Sequence, residues 1–231
     1  MKSKSSNEKA QGAAAAAGEA TAKRRGRPKN TTLTRDVILR AAEKVFSQHG
    51  YGSARIEKIA TAAKCNESLI YYYFSSKEAL FVAVLENAYG KMLQAEQSLA
   101  LDLDRPLDAL DAIVLFPWQY YRANPELITL LAAENLHKAK HLTKSELAGK
   151  FFSPAIAVLD TVIGAGVRQG VFRADIDTGH LYVSILALGY FYVSNRFTLS
   201  AFMGKNLMTE AEIERWGAFI TGFVSDAVKA H

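Results

Sequence analysis

From Thr34 onward apolar residues recur three and four positions apart, the period of a helix with one buried face. No stretch alternates with the period of two that a half-buried strand requires. Val37, Ile38, Ala41, Ala42, Val45 and Phe46 share one face of a first helix over 34–49, which Gly50 ends. Tyr51-Gly52 leads to Ser53, a suitable cap for a second helix over 54–63 that buries Ile56, Ile59, Ala60 and Ala63. The pattern breaks at Lys64-Cys65 and restarts at Asn66, whose side chain suits a helix N-terminus, as a third helix over 66–74 with Ile70 and Phe74 turned inward. It breaks again at Ser75-Ser76, where Ser75 and Glu78 have capping-box spacing, and a fourth helix runs from near Ser76 to about Leu99.

Five further helices, near 106–123, 125–140, 144–169, 177–203 and 209–230, complete an all-α chain of about nine helices. Pro106 and Pro125 stand where a proline opens a helix, the latter behind Asn124. Thr143 with Glu146, and Thr209 with Glu212, have capping-box spacing, whereas Pro117 and Pro154 fall inside two of the helices and should kink them. The two short helices across a tight turn, 55–74, read as a helix-turn-helix, which offers its second helix to the DNA major groove. The chain thus divides into a basic arm over 1–32, a three-helix DNA-binding domain over 33–85 and a larger helical domain over 86–231.

Composition changes this picture at one end only. With 49% hydrophobic and 22% charged residues the chain is an ordinary globular one, and its single cysteine rules out an internal disulfide and suits a reducing cytoplasm. No apolar run reaches the roughly 18 residues of a membrane span, and the alanine tract near the start lacks the Leu/Ile/Val/Phe core of a secretory leader. No membrane partner is expected. The net charge is +5, but residues 1–32 hold eight Lys/Arg against two acids, a surplus of six that leaves the rest of the chain at −1. The arm lacks large apolar residues beyond Met1 and should be disordered in isolation. Its Arg25-Gly26-Arg27-Pro28-Lys29 resembles an AT-hook, in which both arginines enter a narrow minor groove; the alternative is plain attraction to phosphates.

On the third helix Asn66, Glu67, Ser68 and Leu69 lie where base edges would be read. Leu69 can meet a thymine methyl, and Glu67 either accepts from cytosine N4 or turns back onto the helix. Arg55 and Lys58 are candidates for the opposite strand's backbone. The run Tyr71-Tyr72-Tyr73-Phe74 followed by Ser76-Lys77-Glu78-Ala79-Leu80 resembles the tetracycline-repressor (TetR) family of transcriptional regulators, closely over 34–85 and more loosely beyond. That resemblance implies phosphate contacts from Tyr71, Tyr73 and Lys77, with Tyr72 the neutral member of the run. The family's turn usually carries Gly-Val; here it is Lys64-Cys65. Lysine at a positive φ costs about 1 kcal/mol relative to glycine while adding a charge that can reach phosphate. Cys65 reads as a small plug at the turn ahead of a redox sensor.

The resemblance further implies a C-terminal domain that dimerises through its last two helices and binds a small molecule. Leu181, Ile185, Leu188, Tyr192, Phe219, Ile220, Phe223 and Val224 supply apolar material for the interface. Pocket candidates are polar or aromatic residues within apolar helices: Trp118, Gln119, Tyr121, Glu134, Asn135, His137, Phe152, Asn195 and Arg196. An aromatic or anionic effector would suit them. Glu134, His137 and His141 also lie along one helical face, but no further ligand is singled out, so neither metal nor cofactor is expected. The C-terminal stretch Tyr192–Phe202 loosely resembles family members that govern catabolism of aromatic acids such as nicotinate. The resulting expectation is a cytoplasmic, nucleoid-associated, dimeric regulator, most simply a repressor that binds a palindromic double-stranded operator and is released by its ligand. The alternative is an architectural protein of AT-rich DNA. No nucleophile–base pair, phosphate-binding glycine loop or paired carboxylates stand out, so an enzyme is not expected.

Overall fold

The structure, a computed structural model, describes residues 31–230; the arm with Arg25 and Arg27 lies outside them. Ten α-helices follow in order among the described residues: α1 (Thr31–Ser53), α2 (Ile56–Ala63), α3 (Glu67–Phe74), α4 (Lys77–Gln97), α5 (Pro106–Ala123), α6 (Pro125–Leu136), α7 (Ser153–Arg168), α8 (Thr178–Ser194), α9 (Arg196–Met203) and α10 (Glu210–Val228). Two short 3₁₀ turns, Leu142–Lys144 and Ala148–Lys150, lie between α6 and α7. The only extended pairing among the described residues is an isolated bridge between Phe172 and Lys229.

The first three helices close a small core through Ile38, Ala42, Phe46, Ile59, Ile70 and Phe74. Gly50 leaves the helical region at φ 69, after which one more turn carries the chain to Ser53. Ser53 therefore does not cap α2; Arg55 occupies that place without a side-chain cap. α4 runs straight through the expected boundary at 85/86. Its first half buries Leu80, Phe81, Val84 and Leu85, and its second half carries Ala88, Met92 and Glu96 into the larger domain.

There α5 is the central rod, packed by α8, α10 and α7. Pro117 lies within it, and α8 crosses at that point almost backbone to backbone. A Cβ on Gly189 would come within 3.1 Å of the Trp118 nitrogen, so a larger residue there would have to push the two backbones apart by a few tenths of an ångström.

Three expected elements come out differently. The sixth helix stops at Leu136 rather than 140, and the helix expected from 144 begins at Ser153. The Thr143 hydroxyl donates to Lys140 O instead of capping, and Pro154 sits in the first turn of α7, where its missing N–H costs nothing, so it opens the helix. The helix expected over 177–203 breaks at Asn195 (φ −102, ψ 11): its side-chain amide donates to Phe191 O, the Arg196 guanidinium donates to Val193 O, and α9 begins afresh at Arg196. Thr209 does cap α10, accepting from Glu212 N at 3.4 Å. The stretch Ala148–Arg168 reaches a mean hydropathy of 1.4, long and apolar enough by composition to cross a membrane, contrary to expectation. Here it is a 3₁₀ turn and then α7, which buries Ala155, Leu159, Val162 and Ile163 against the rest of the domain.

Candidate DNA-reading head and ligand cavity

The turn between α2 and α3 is built as its residues demand. Lys64 takes the left-handed conformation (φ 53, ψ 43), and Cys65 N–H reaches back to Ala60 O at 3.0 Å. Asn66 Oδ1 accepts from Leu69 N at 2.9 Å and starts α3. Cys65 is half-buried against the core, and burial pushes its thiol up, away from the reactive thiolate. With Ile70 and Phe74 inside, α3 turns Glu67, Ser68 and Tyr71 outward, and Arg55, Lys58, Lys64 and Asn66 are exposed beside it; Leu69 is half-buried.

The tyrosines divide differently from the family-based expectation. Tyr72 is the most exposed at 73% and Tyr71 follows at 46%, while the half-buried Tyr73 has a covered hydroxyl without a hydrogen-bond partner. At the next junction Ser76, not Ser75, is the cap: its Oγ accepts from Ala79 N at 3.0 Å, and Ser75 is forced to φ 63. Glu78 thus leaves the cap and pairs with Lys144 at 2.7 Å. Lys77 lies back over the Tyr51 ring, 4.7 Å from its centroid, and donates to Gly52 O at 3.4 Å; burial lowers its pKa.

Behind this head, Glu134 and His141 form a buried pair, 2% and 1% exposed. One Glu134 oxygen accepts from His141 N at 2.7 Å and Leu142 N at 2.9 Å, and the other lies 2.7 Å from His141 Nδ1. This clamp holds a chain reversal in which Lys138 and Ala139 both take φ 57, a conformation that costs L-residues roughly 1–2 kcal/mol each. The His141 ring packs on Tyr51 (4.4 Å between centroids) and Phe81 (4.9 Å), both from the DNA-binding part. Burial, then the Glu78 charge, push the Tyr51 phenol above its ordinary value. Ser145 adds a hydrogen bond to Glu86 on α4.

A cavity of about 60 Å³ lies between α4, α5, α6, α8 and the segment leading into α7, walled by Tyr89, Met92, Glu96, Tyr121, Phe151, Phe152 and Tyr182 with Leu93, Leu131 and Leu186. Phe151 stacks on Tyr89 at 5.1 Å, and Phe152 meets Tyr182 edge-on at 5.9 Å. Glu96 is 7% exposed, and its two oxygens are each 3.1 Å from the Tyr182 hydroxyl, which donates to both. Burial raises the Glu96 pKa, opposed by that hydrogen bond. Burial also pushes Tyr89 up to about 12 and raises Tyr121 and Tyr182, the last helped by the Glu96 charge.

Of the nine pocket candidates, only Tyr121 and Phe152 line this cavity. Trp118 is core, 2% exposed beneath Tyr192 and Arg122. It touches, with Gln119, a separate surface groove between α5 and α10. Glu134 is committed to the clamp. Asn135 donates to its own helix at Leu131 O, and His137 lies exposed against Ala133 O. Asn195 and Arg196 hold the α8–α9 break. Sequence reasoning missed Glu96 and Tyr182. The available signal was a lone carboxylate continuing the buried stripe Leu85, Ala88 and Met92 of α4.

The interface candidates also divide. Ile185, Tyr192, Ile220 and Val224 are buried within the protomer, Leu181 and Leu188 are half-buried, and Phe219 and Phe223 are more than half exposed. The apolar residues that α8 and α10 leave outward are Val183 and Phe191 with Phe219 and Phe223, the last two stacked at 6.0 Å. Beside them a cleft of about 410 Å³ opens between α8, α9 and α10, lined by Leu199, Met203 and Trp216 among others.

Residues 38–84 match the family model described as bacterial regulatory proteins, tetR family, and residues 106–224 match the tetracyclin repressor-like C-terminal domain. The chain belongs to the TetR family. The HTH-type transcriptional repressor NicS of Pseudomonas putida is 47% identical over 195 residues, 84% of this chain and 92% of NicS. The HTH-type transcriptional regulator RutR of Escherichia coli K12 is 30% identical, with 80% of this chain and 85% of RutR aligned. Among solved structures, the fatty acid degradation regulator FadR of Bacillus halodurans superposes with a TM-score of 0.61 at 21% identity, over 81% of this chain and 94% of FadR, a likeness of fold. This TetR-family protein is a helix-turn-helix transcriptional regulator, and nothing in the comparisons favours an architectural DNA protein.

Proposed function

We propose that this TetR-family protein is a homodimeric repressor whose two reading heads occupy a palindromic operator and whose inner cavity takes a small effector that releases it. One observation carries the coupling: the single segment 137–152 touches both sites. At one end His141, Lys144 and Ser145 hold Tyr51, Phe81, Glu78 and Glu86. At the other end Phe151 and Phe152 roof the cavity. A cavity of 60 Å³ is smaller than the roughly 150 Å³ that admits a benzene ring, so a bound ring requires the roof to move. A displaced roof loosens the contacts that orient the head, and the effector acts by favouring the loosened state.

The outward apolar strip of Val183, Phe191, Phe219 and Phe223 supports the dimer, and a two-fold pairing through it would match the symmetry of an inverted repeat. Exposed Arg55, Lys58, Lys64 and Tyr71 suit backbone contacts. Asn66, Glu67, Ser68 and Leu69 suit base contacts. Lys77 and Tyr73 join only by turning outward on binding. Arg25 and Arg27 would follow the minor groove beside the operator. The aromatic walls suit an aromatic effector. Such a protein works in the cytoplasm, on the nucleoid while its operator is held.

Selection of genomic fragments by the purified chain at about 150 mM salt tests this reading. Recovery of one inverted repeat, bound by two chains, is the expected result. Broad AT-rich recovery that disappears when residues 1–30 are removed would overturn it.

A further inference from the structure

The inner cavity has an unusual electrical character for its size. Glu96 is its only ionisable group besides tyrosines, and no Lys, Arg or His is among its walls. A carboxylate offers about four lone-pair sites, yet Glu96 receives one shared proton, from the Tyr182 hydroxyl, at 3.1 Å to each oxygen. The hydroxyl-bearing Tyr89 and Tyr121 also stand in the walls, but among the described residues only Tyr182 is hydrogen-bonded to Glu96, and its remaining acceptor capacity is surrounded by aromatic side chains of the kind that attract cations. A ligand carboxylate entering here would meet a like charge and no counter-ion, the most expensive arrangement in a desolvated site.

Resting on the cavity reading above, we propose that Glu96 sets effector specificity: the cavity takes a small aromatic molecule that presents an N–H donor, best a protonated nitrogen, to the open side of this carboxyl. The ring lies among Tyr89, Tyr121, Phe151 and Phe152, and the nitrogen supplies the hydrogen bond and the charge that Glu96 lacks. The upward displacement of the Glu96 pKa by burial agrees with a carboxyl built to be neutralised by what it binds. Of the two chemistries expected from the sequence, aromatic is retained and anionic is not, because His137 and Arg196, the two basic residues among the pocket candidates, lie elsewhere.

Three ring compounds of similar size test it on the intact chain: benzylamine (cation), benzyl alcohol (neutral) and benzoate (anion). Methionine-methyl NMR reports the place of binding, because Met92 lines the inner cavity, Met203 the outer cleft and Met208 the groove beside α9. Benzylamine is expected to shift the Met92 methyl and to bind at least 10-fold more tightly than benzyl alcohol, with benzoate weakest. In Glu96→Gln, which keeps the shape, that preference should shrink to within about 2-fold. Benzoate binding as tightly as benzylamine at Met92, a preference that survives Glu96→Gln, or no binding by any of the three overturns the ligand class. Binding that shifts Met203 or Met208 and leaves Met92 unmoved overturns the cavity reading itself.

Discussion

Two glutamates are buried in this domain, and they do opposite things. Glu134 receives three N–H contacts between 2.7 and 2.9 Å, two from backbone and one from His141. Glu96 shares a single phenolic proton at 3.1 Å and faces a cavity. Burial alone therefore says little about a polar group's role; the number of donors it finds separates them. A carboxyl whose lone pairs are filled by its own chain is a structural pin, and its strength goes into holding Lys138 and Ala139 in a conformation they disfavour. A carboxyl left short of donors destabilises the protein that contains it, and keeps that deficit available for a ligand.

The largest test of the contrast is Glu134→Ala. It strands the buried His141 amide, the half-buried Leu142 amide and the His141 ring and frees the strained turn, so unfolding in urea should show a loss of about 3–4 kcal/mol. A loss under about 1 kcal/mol would mean that the turn is held by something other than the clamp.

Tyr182→Phe removes the one donor that Glu96 has and should cost about 1 kcal/mol. Glu96→Gln should go the other way. The folded Glu96 has a raised pKa, so the folded state holds its proton more tightly than the unfolded chain, whose value is near 4.3. Its contribution is fully present below that value and is lost as pH rises through the folded pKa. Glu96→Gln removes this loss, so at pH 8 the variant should be more stable than wild type by on the order of 1 kcal/mol, and at pH 4 the difference should vanish. A constant difference across that range would place the effect in packing rather than in the charge.

Legibility along the sequence follows how local the deciding interactions are. Asn66, Lys64 and the Ile70/Phe74 pair fix α3 through contacts within a few residues, and there the pattern alone was sufficient. The Thr143–Glu146 spacing misleads because Glu134, seven and eight residues upstream, captures His141 N and Leu142 N and bends the chain away from a helix. The facing of α8 was unreadable for another reason. It is apolar all round, and a helix without a polar side does not tell Ile185 and Tyr192, which are buried, from Phe191, which is not. Glu96 was legible as a polar interruption of the α4 stripe, but its significance depends on Tyr182, 86 residues away.

The smallest effect is expected at Lys144→Ala, and it sharpens the contrast most. The Lys144–Glu78 pair joins the same segment to the DNA-binding part at 2.7 Å, the same distance as the shortest contacts of Glu134, yet its side chains are 50% and 34% exposed. Water screens such a pair, so its loss should lower Tm by no more than roughly 1–2 °C. Hydrogen exchange distinguishes the two contacts directly: the amides of His141 and Leu142 should stay protected in Lys144→Ala and become exposed in Glu134→Ala. If both variants expose them equally, the segment is held as one cooperative strap, and the division between a buried pin and a surface tether fails.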